Sequence, residues 1–203
     1  MRERAQSLTS LDALQPVLIG LSFAMAGVIA LSARFSFMTT VSPVPVTLQV
    51  AAVLLAGLTL GPLWGTLSVV LYLAAGFMGA PVFAMGVGGP SVILQPSFGY
   101  LLAFPPAAWV VGTIAAKSRR SVFCGLSACA AGIAVIYLLG ASWLAGWFAL
   151  SGSSLSQAVH SAWTAGVVPF IAVDSLKAIL AIGIWTAASP LRRAWRSETS
   201  LTA

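Results

Sequence analysis

Long apolar runs separated by short polar connections organise this chain, and the pattern predicts helices that cross a membrane. Six runs stand out, at residues 16–33, 46–60, 63–77, 98–116, 121–150 and 165–188. The first opens on Pro16, in a first helical turn where a missing N–H costs little. The second ends at the breaker pair Gly61-Pro62. The second and third runs are fifteen residues each. As helices they reach only about 22 Å, against a hydrocarbon core of roughly 30 Å. They are tilted, lengthened by their flanks, or a re-entrant pair, and the pattern leaves all three open. The fifth run is long and carries Gly125, Gly132, Gly140 and Gly146. The expected fold class is an all-α integral membrane protein, a six-transmembrane-helix bundle forming one membrane domain over residues 1–203.

Composition sharpens this picture. Of 203 residues, 59% are hydrophobic and 7% charged, against about 25% charged in soluble domains. Mean hydropathy is +0.99. Disorder, a coiled coil and an ordinary cytosolic enzyme are excluded, because there is too little polar surface to cover such a globule. Cys124 and Cys129 lie five apart in one apolar run, which points them in different directions. A disulfide between them is not expected, and both read as buried thiols.

The net charge is +6. The basic residues fall in clusters between apolar runs, so orientation in the membrane explains them better than nucleic acid does. With six spans, Arg2, Arg4, Lys117, Arg119, Arg120, Arg192, Arg193 and Arg196 share one side, and Arg34 lies on the other. The positive-inside rule then places both termini in the cytoplasm. The first apolar run exceeds a usual signal-peptide core and is read as a span. The long connections, residues 34–45, 78–97 and 151–164, are then extracytoplasmic, and suggest a site that opens outward under covering loops.

Three segments carry candidate chemistry. Pro43 and Pro45 favour an extended path leading to Thr47 and Gln49. Gln49 offers donor and acceptor near the membrane edge, either to a ligand or to a neighbouring helix. Residues 76–100 are broken by Gly and Pro yet remain apolar. Irregular backbone at membrane depth is tolerated only against protein or a cavity. Phe77, Phe83, Phe98 and Tyr100 either wall an apolar ligand or anchor at the interface. Gly86, Gly88 and Gly89 lack the context of a phosphate loop. Asp174 and Lys177, three apart on one helix face, are the sharpest signal. They are the only charges in a long apolar span, and an ionisable residue there is a functional hypothesis by default. The other reading is a structural ion pair with Lys177 snorkelling. Ser22, Ala26 and Ala30 form a small-residue ridge that faces another subunit or the bundle interior. His160 has no ligand-spaced partners, so no metal site is expected.

Taken in order, Pro43-Val-Pro45-Val-Thr47-Leu-Gln49, Tyr72 through Gly76, Gly79, Pro81 and Phe83, Gly88-Gly89, Pro96 through Gly99-Tyr100, and Pro169-Phe170 with Asp174 and Lys177 resemble the BioY family. These are biotin-specific substrate-binding (S) components of energy-coupling factor (ECF) transporters. The resemblance runs over residues 17–188. Family members often carry Thr where this chain has Ser97, a hydroxyl-for-hydroxyl change. The resemblance implies a six-helix membrane fold in the bacterial cytoplasmic membrane that binds biotin from outside. It implies Asp174 and Lys177 at the biotin head group, and Ala26 and Ala30 as the small-residue contact with a transmembrane coupling subunit.

The residue chemistry agrees with this ligand. Biotin has a fused ureido–thiophane head, an apolar valeryl chain and a carboxylate. Asp174 suits the ureido N–H donors and Lys177 its carbonyl, with Gln49 or Gln95 adding a polar contact and the aromatics enclosing the rings. No cofactor is implied. The chain has no phosphate loop for ATP, so active import implies a coupling subunit and ATP-binding subunits as partners. A self-sufficient biotin carrier is the alternative function. A membrane enzyme using Asp174 is disfavoured, because no second carboxylate, cysteine or histidine is available beside it.

Overall fold

The computed structural model describes residues 2–117 and 121–188. The order is α1 (Arg2–Arg34), β1 (Ser36–Thr39), β2 (Ser42–Thr47), α2 (Gln49–Phe77), α3 (Phe98–Ala116), α4 (Val122–Leu150), α5 (Leu155–Gly166) and α6 (Val168–Ala187). Two short 3-10 turns, Ala84–Gly86 and Pro90–Leu94, lie between α2 and α3. Five helical stretches among the described residues are long and apolar enough to cross a membrane. They are Gln15–Arg34, Gln49–Phe77, Phe98–Ala116, Val122–Leu150 and Leu155–Ala187. Arg119, Arg120, Arg192, Arg193 and Arg196 lie outside the described residues.

The helix α2 is not one rod. Gly61 has φ +80° and ψ −174°, a conformation that glycine adopts without strain from a Cβ, and Pro62 follows. On a straight helix, Gln49 and Tyr72 would stand about 35 Å apart. Instead Gln49 Nε2 donates to Tyr72 Oη. A Cβ on Gly65 would lie 2.7 Å from the Ala56 carbonyl oxygen. The two arms of α2 therefore fold back on each other at Gly61-Pro62, where the two short apolar runs meet. Both polar groups of the Gln49–Tyr72 pair are buried. Left unpaired, each would cost about 1–3 kcal/mol, so the bond also holds the arms in register.

Helix α3 lies against this hairpin on one side and α4 on the other. Small residues permit the close approach: a Cβ on Gly57 would meet the Ala108 carbonyl oxygen at 2.6 Å, and one on Gly112 would collide with Pro62. Ile29, Leu54, Val69, Val111, Ile136 and Leu144 are fully buried in the resulting core. Around the perimeter, Phe23, Leu31, Leu138 and Leu176 are each more than half exposed. Such a surface is unfavourable in water at about 25 cal/mol per Å² and suits a lipid solvent.

Three expectations need correction. Pro16 was expected in a first helical turn, but α1 begins at Arg2 and Pro16 lies inside it. Residues 151–164 were expected as a loop, but most of them form α5. A capping box starts that helix: the Ser154 and Gln157 side chains satisfy each other's backbone N–H groups. The all-α expectation also misses a small antiparallel hairpin. There β1 pairs with β2, Ser36 opposite Thr47 and Phe37 opposite Val46. The extended path expected at Pro43 and Pro45 is β2, and both thiols are buried and free, as expected.

Candidate functional site

The site begins on α6. Lys177 Nζ lies 2.7 Å from Asp174 Oδ1, and both side chains are buried. Three residues apart on a helix, they reach each other without leaving their face. Tyr137, on α4, donates its hydroxyl to Asp174 Oδ2 at 2.8 Å. Each carboxylate oxygen thus holds one donor. Burying an ion costs several kcal/mol even after relaxation, and geometry this complete is what offsets it.

A second wall comes from the start of α2 and from β2. Thr47 Oγ1 accepts from the Gln49 backbone N–H at 3.2 Å and fixes the turn into the helix. Gln49 uses its amide nitrogen on Tyr72 and makes no bond through its amide oxygen among the described residues.

The third wall is the irregular segment before α3. Its backbone groups find partners, as apolar surroundings require. Gly89 N–H donates to Gly76 O at 2.7 Å, and Phe83 N–H to Val87 O at 2.9 Å. Trp143 and Trp147, one turn apart on α4, donate their indole N–H groups to Gln95 O and Leu94 O at 3.1 and 3.2 Å. Phe83 is wedged edge-on between Tyr72 and Phe77, with ring centroids 5.5 and 5.7 Å away. The bare face of Gly76 makes the room, because a Cβ there would strike the Phe83 ring. Tyr100, on α3, donates to Gly166 O at 2.8 Å and so ties α3 to the end of α5.

These walls enclose one cavity of about 290 Å³. All seven residues expected at a ligand line it: Thr47, Gln49, Phe83, Gln95, Tyr100, Asp174 and Lys177. Sequence reasoning missed Tyr137, which also lines it. Its only signal was a hydroxyl within a long apolar run, and its partner lies 37 residues away. The sequence likewise did not single out Met38, Phe104 or Ile136, further lining residues.

The ridge of Ser22, Ala26 and Ala30 lies elsewhere. Ser22 is fully buried and its Oγ donates to Leu18 O and Trp64 O, at 2.9 and 3.2 Å. Its side chain therefore faces α2 and is not available to another subunit. Ala26 and Ala30 are half-buried beside it and pack on the same core. Among the described residues, no group of three or more His, Cys, Asp or Glu is placed to hold a metal ion.

The BioY family model matches residues 5–194. The chain belongs to the BioY family. A probable biotin transporter BioY of Pyrococcus horikoshii is 41% identical over 143 residues, covering 70% of this chain and 79% of that one. The biotin transporter BioY of Thermotoga maritima is 39% identical over 139 residues, covering 68% and 77%. A solved structure, the S-component for biotin from an ECF-type ABC transporter, superposes with a TM-score of 0.76 at 28% identity. That match covers 88% of this chain and 93% of the other. Within a BioY fold, the site is an apolar box with a net-neutral charged pair and two amide side chains. It suits a small ligand with a neutral polar head that both donates and accepts hydrogen bonds.

Proposed function

We propose that this chain binds biotin and serves as the biotin-binding S component of an ECF-type transporter in the cytoplasmic membrane. The observation that carries the reading is the cavity itself. In a chain of the BioY family, Asp174, Lys177, Gln49 and Gln95 meet inside walls made by Phe83, Tyr100 and Thr47. The ureido head lies against Asp174 and Lys177. An ionised carboxylate offers about four lone-pair sites and Asp174 has used two. An ammonium has three donors and Lys177 has used one. One of the two remaining lone-pair sites serves a ureido N–H, and the two remaining donors of Lys177 face its carbonyl. The valeryl chain follows the apolar lining. The site transfers no group, so the function is capture and transport and not catalysis.

In the same reading the chain crosses the membrane six times, the two arms of α2 counting separately, and both termini are cytoplasmic. The cavity lies at the outer end. Helix α1 is the peripheral helix and meets the coupling subunit along Ala26 and Ala30, with ATP-binding subunits beyond it. Reconstituted vesicles test the coupling. Uptake of biotin should need the coupling and ATP-binding subunits with ATP inside. Equal uptake by the chain alone would favour the self-sufficient carrier.

A further inference from the structure

The biotin reading leaves one end of the ligand without a partner. Biotin carries a carboxylate, and the cavity offers it no unmatched cation. Among the described residues, the only charged side chains lining the cavity, Lys177 and Asp174, neutralise each other at 2.7 Å. A second carboxylate beside Asp174 would meet like charge in a poorly solvated place. The carboxylate end therefore belongs away from that pair.

One unmatched cation stands beside the cavity wall, just outside its lining. Arg34 closes α1 and is exposed. Its Nη1 would lie 3.2 Å from a Cβ on Gly86. Gly86 is in the left-handed region, with φ +73°, so it presents bare backbone to the guanidinium. Its neighbours Ala84, Met85 and Val87 are all cavity wall, as is Met38 a few residues after Arg34. The rim is held from both sides, since Met85 N–H donates to Ser36 Oγ at 3.0 Å. Arg34 forms no ion pair among the described residues. Its place in the last turn of α1 suits the helix dipole, but that role is indifferent to the ligand.

We propose that Arg34 is a specificity-determining residue that engages the ligand's carboxylate at the cavity rim, so that the site prefers the free acid over neutral amides and esters. A guanidinium pairs a carboxylate through two parallel N–H donors, and at an exposed rim it remains solvated until the ligand arrives. This inference rests on the biotin reading and adds the orientation of the ligand: ureido head inward, carboxylate outward.

The test compares biotin with biotin amide, which keeps the head and chain and lacks the charge. Calorimetry is run on the purified full chain and on Arg34→Gln and Arg34→Lys, each confirmed folded by its thermal transition. The wild type should prefer biotin by roughly three- to tenfold, the scale of a partly exposed ion pair. Arg34→Gln should lose that preference by weakening biotin alone. Arg34→Lys should keep most of it, and raising the salt should shrink it in the wild type. Equal losses for both ligands in Arg34→Gln, or an unchanged preference, would overturn the role of Arg34 while leaving biotin binding intact. No binding of either ligand by folded wild type would overturn the biotin reading and this inference together.

Discussion

Tyr137 holds Asp174 from across the bundle: its hydroxyl donates to Oδ2 at 2.8 Å, on the side of the carboxylate that Lys177 does not occupy. The bond joins α4 to α6 and fixes the carboxylate plane inside the cavity. A carboxylate held at both oxygens has its remaining lone pairs fixed in direction, which suits the rigid head group proposed for the site.

Tyr137→Phe keeps the ring and removes the donor. Oδ2 then has only the cavity to turn to. We expect a loss of about 1–2 kcal/mol, toward the lower end for a bond to a charged group, and a Tm lower by a few degrees in a chain of this length. Biotin affinity should fall as well, because Asp174 becomes free to rotate. A thermal shift series with and without biotin checks both, and a loss of stability with full affinity would make Tyr137 purely structural.

Gly61→Ala should destabilise the reversal within α2 by about 1–3 kcal/mol, since φ +80° with ψ −174° is a glycine conformation. Gly183→Ala, where an added Cβ meets nothing within 4 Å, should cost far less. Thermal unfolding of the two variants side by side gives the comparison. Equal stability would mean that the turn does not depend on Gly61.

Sidedness is tested by cysteine labelling. With Cys124 and Cys129 replaced by Ala, Ser118→Cys and Ser156→Cys should react from opposite faces of the membrane. An impermeant maleimide added outside intact cells should label Ser156→Cys and spare Ser118→Cys. Equal labelling of both from outside would contradict the orientation.

Ala26→Trp with Ala30→Trp places two large rings on the half-exposed edge of α1. Assembly with a coupling subunit should be blocked while biotin binding by the isolated chain persists. An undisturbed complex on affinity purification would put the contact on another helix.

Much of this architecture was legible because lipid imposes long apolar runs, and apart from the start of α1 the ends of those runs fall close to the helix ends. Gly61-Pro62 marked a break, but only the Gln49–Tyr72 bond and the packing of Gly65 on Ala56 reveal a reversal at that point. Helix α5 gives a weak sequence signal because its run is short and mixed, although Ser154 and Gln157 stand at capping-box spacing. The hairpin leaves no clear mark in the sequence, because Pro43 and Pro45 signal extended backbone without naming a pairing partner. For the site, charges in an apolar span and amides at its margins were local signals. Tyr137 and the inward turn of Ser22 depended on contacts 37 and 42 residues apart in sequence, which no local pattern carries.

Asp174→Asn and Lys177→Met probe the proposed head-group contact. Asp174→Asn preserves shape and loses a charge-assisted acceptor, worth about 1.5–3 kcal/mol, or roughly 10- to 150-fold in affinity. Lys177→Met should cost a similar factor and also destabilise the fold, because it leaves a buried carboxylate without its cation. Desthiobiotin, which keeps the ureido group, should lose affinity by the same factors as biotin. A merely structural pair would lower Tm in both variants and leave affinity untouched.

The most direct measurement is titration calorimetry of biotin into the purified chain in detergent, with no ATP and no other subunit present. The account predicts saturable binding of about one biotin per chain, as a single cavity of this size requires. Folded protein that takes up no biotin would contradict it.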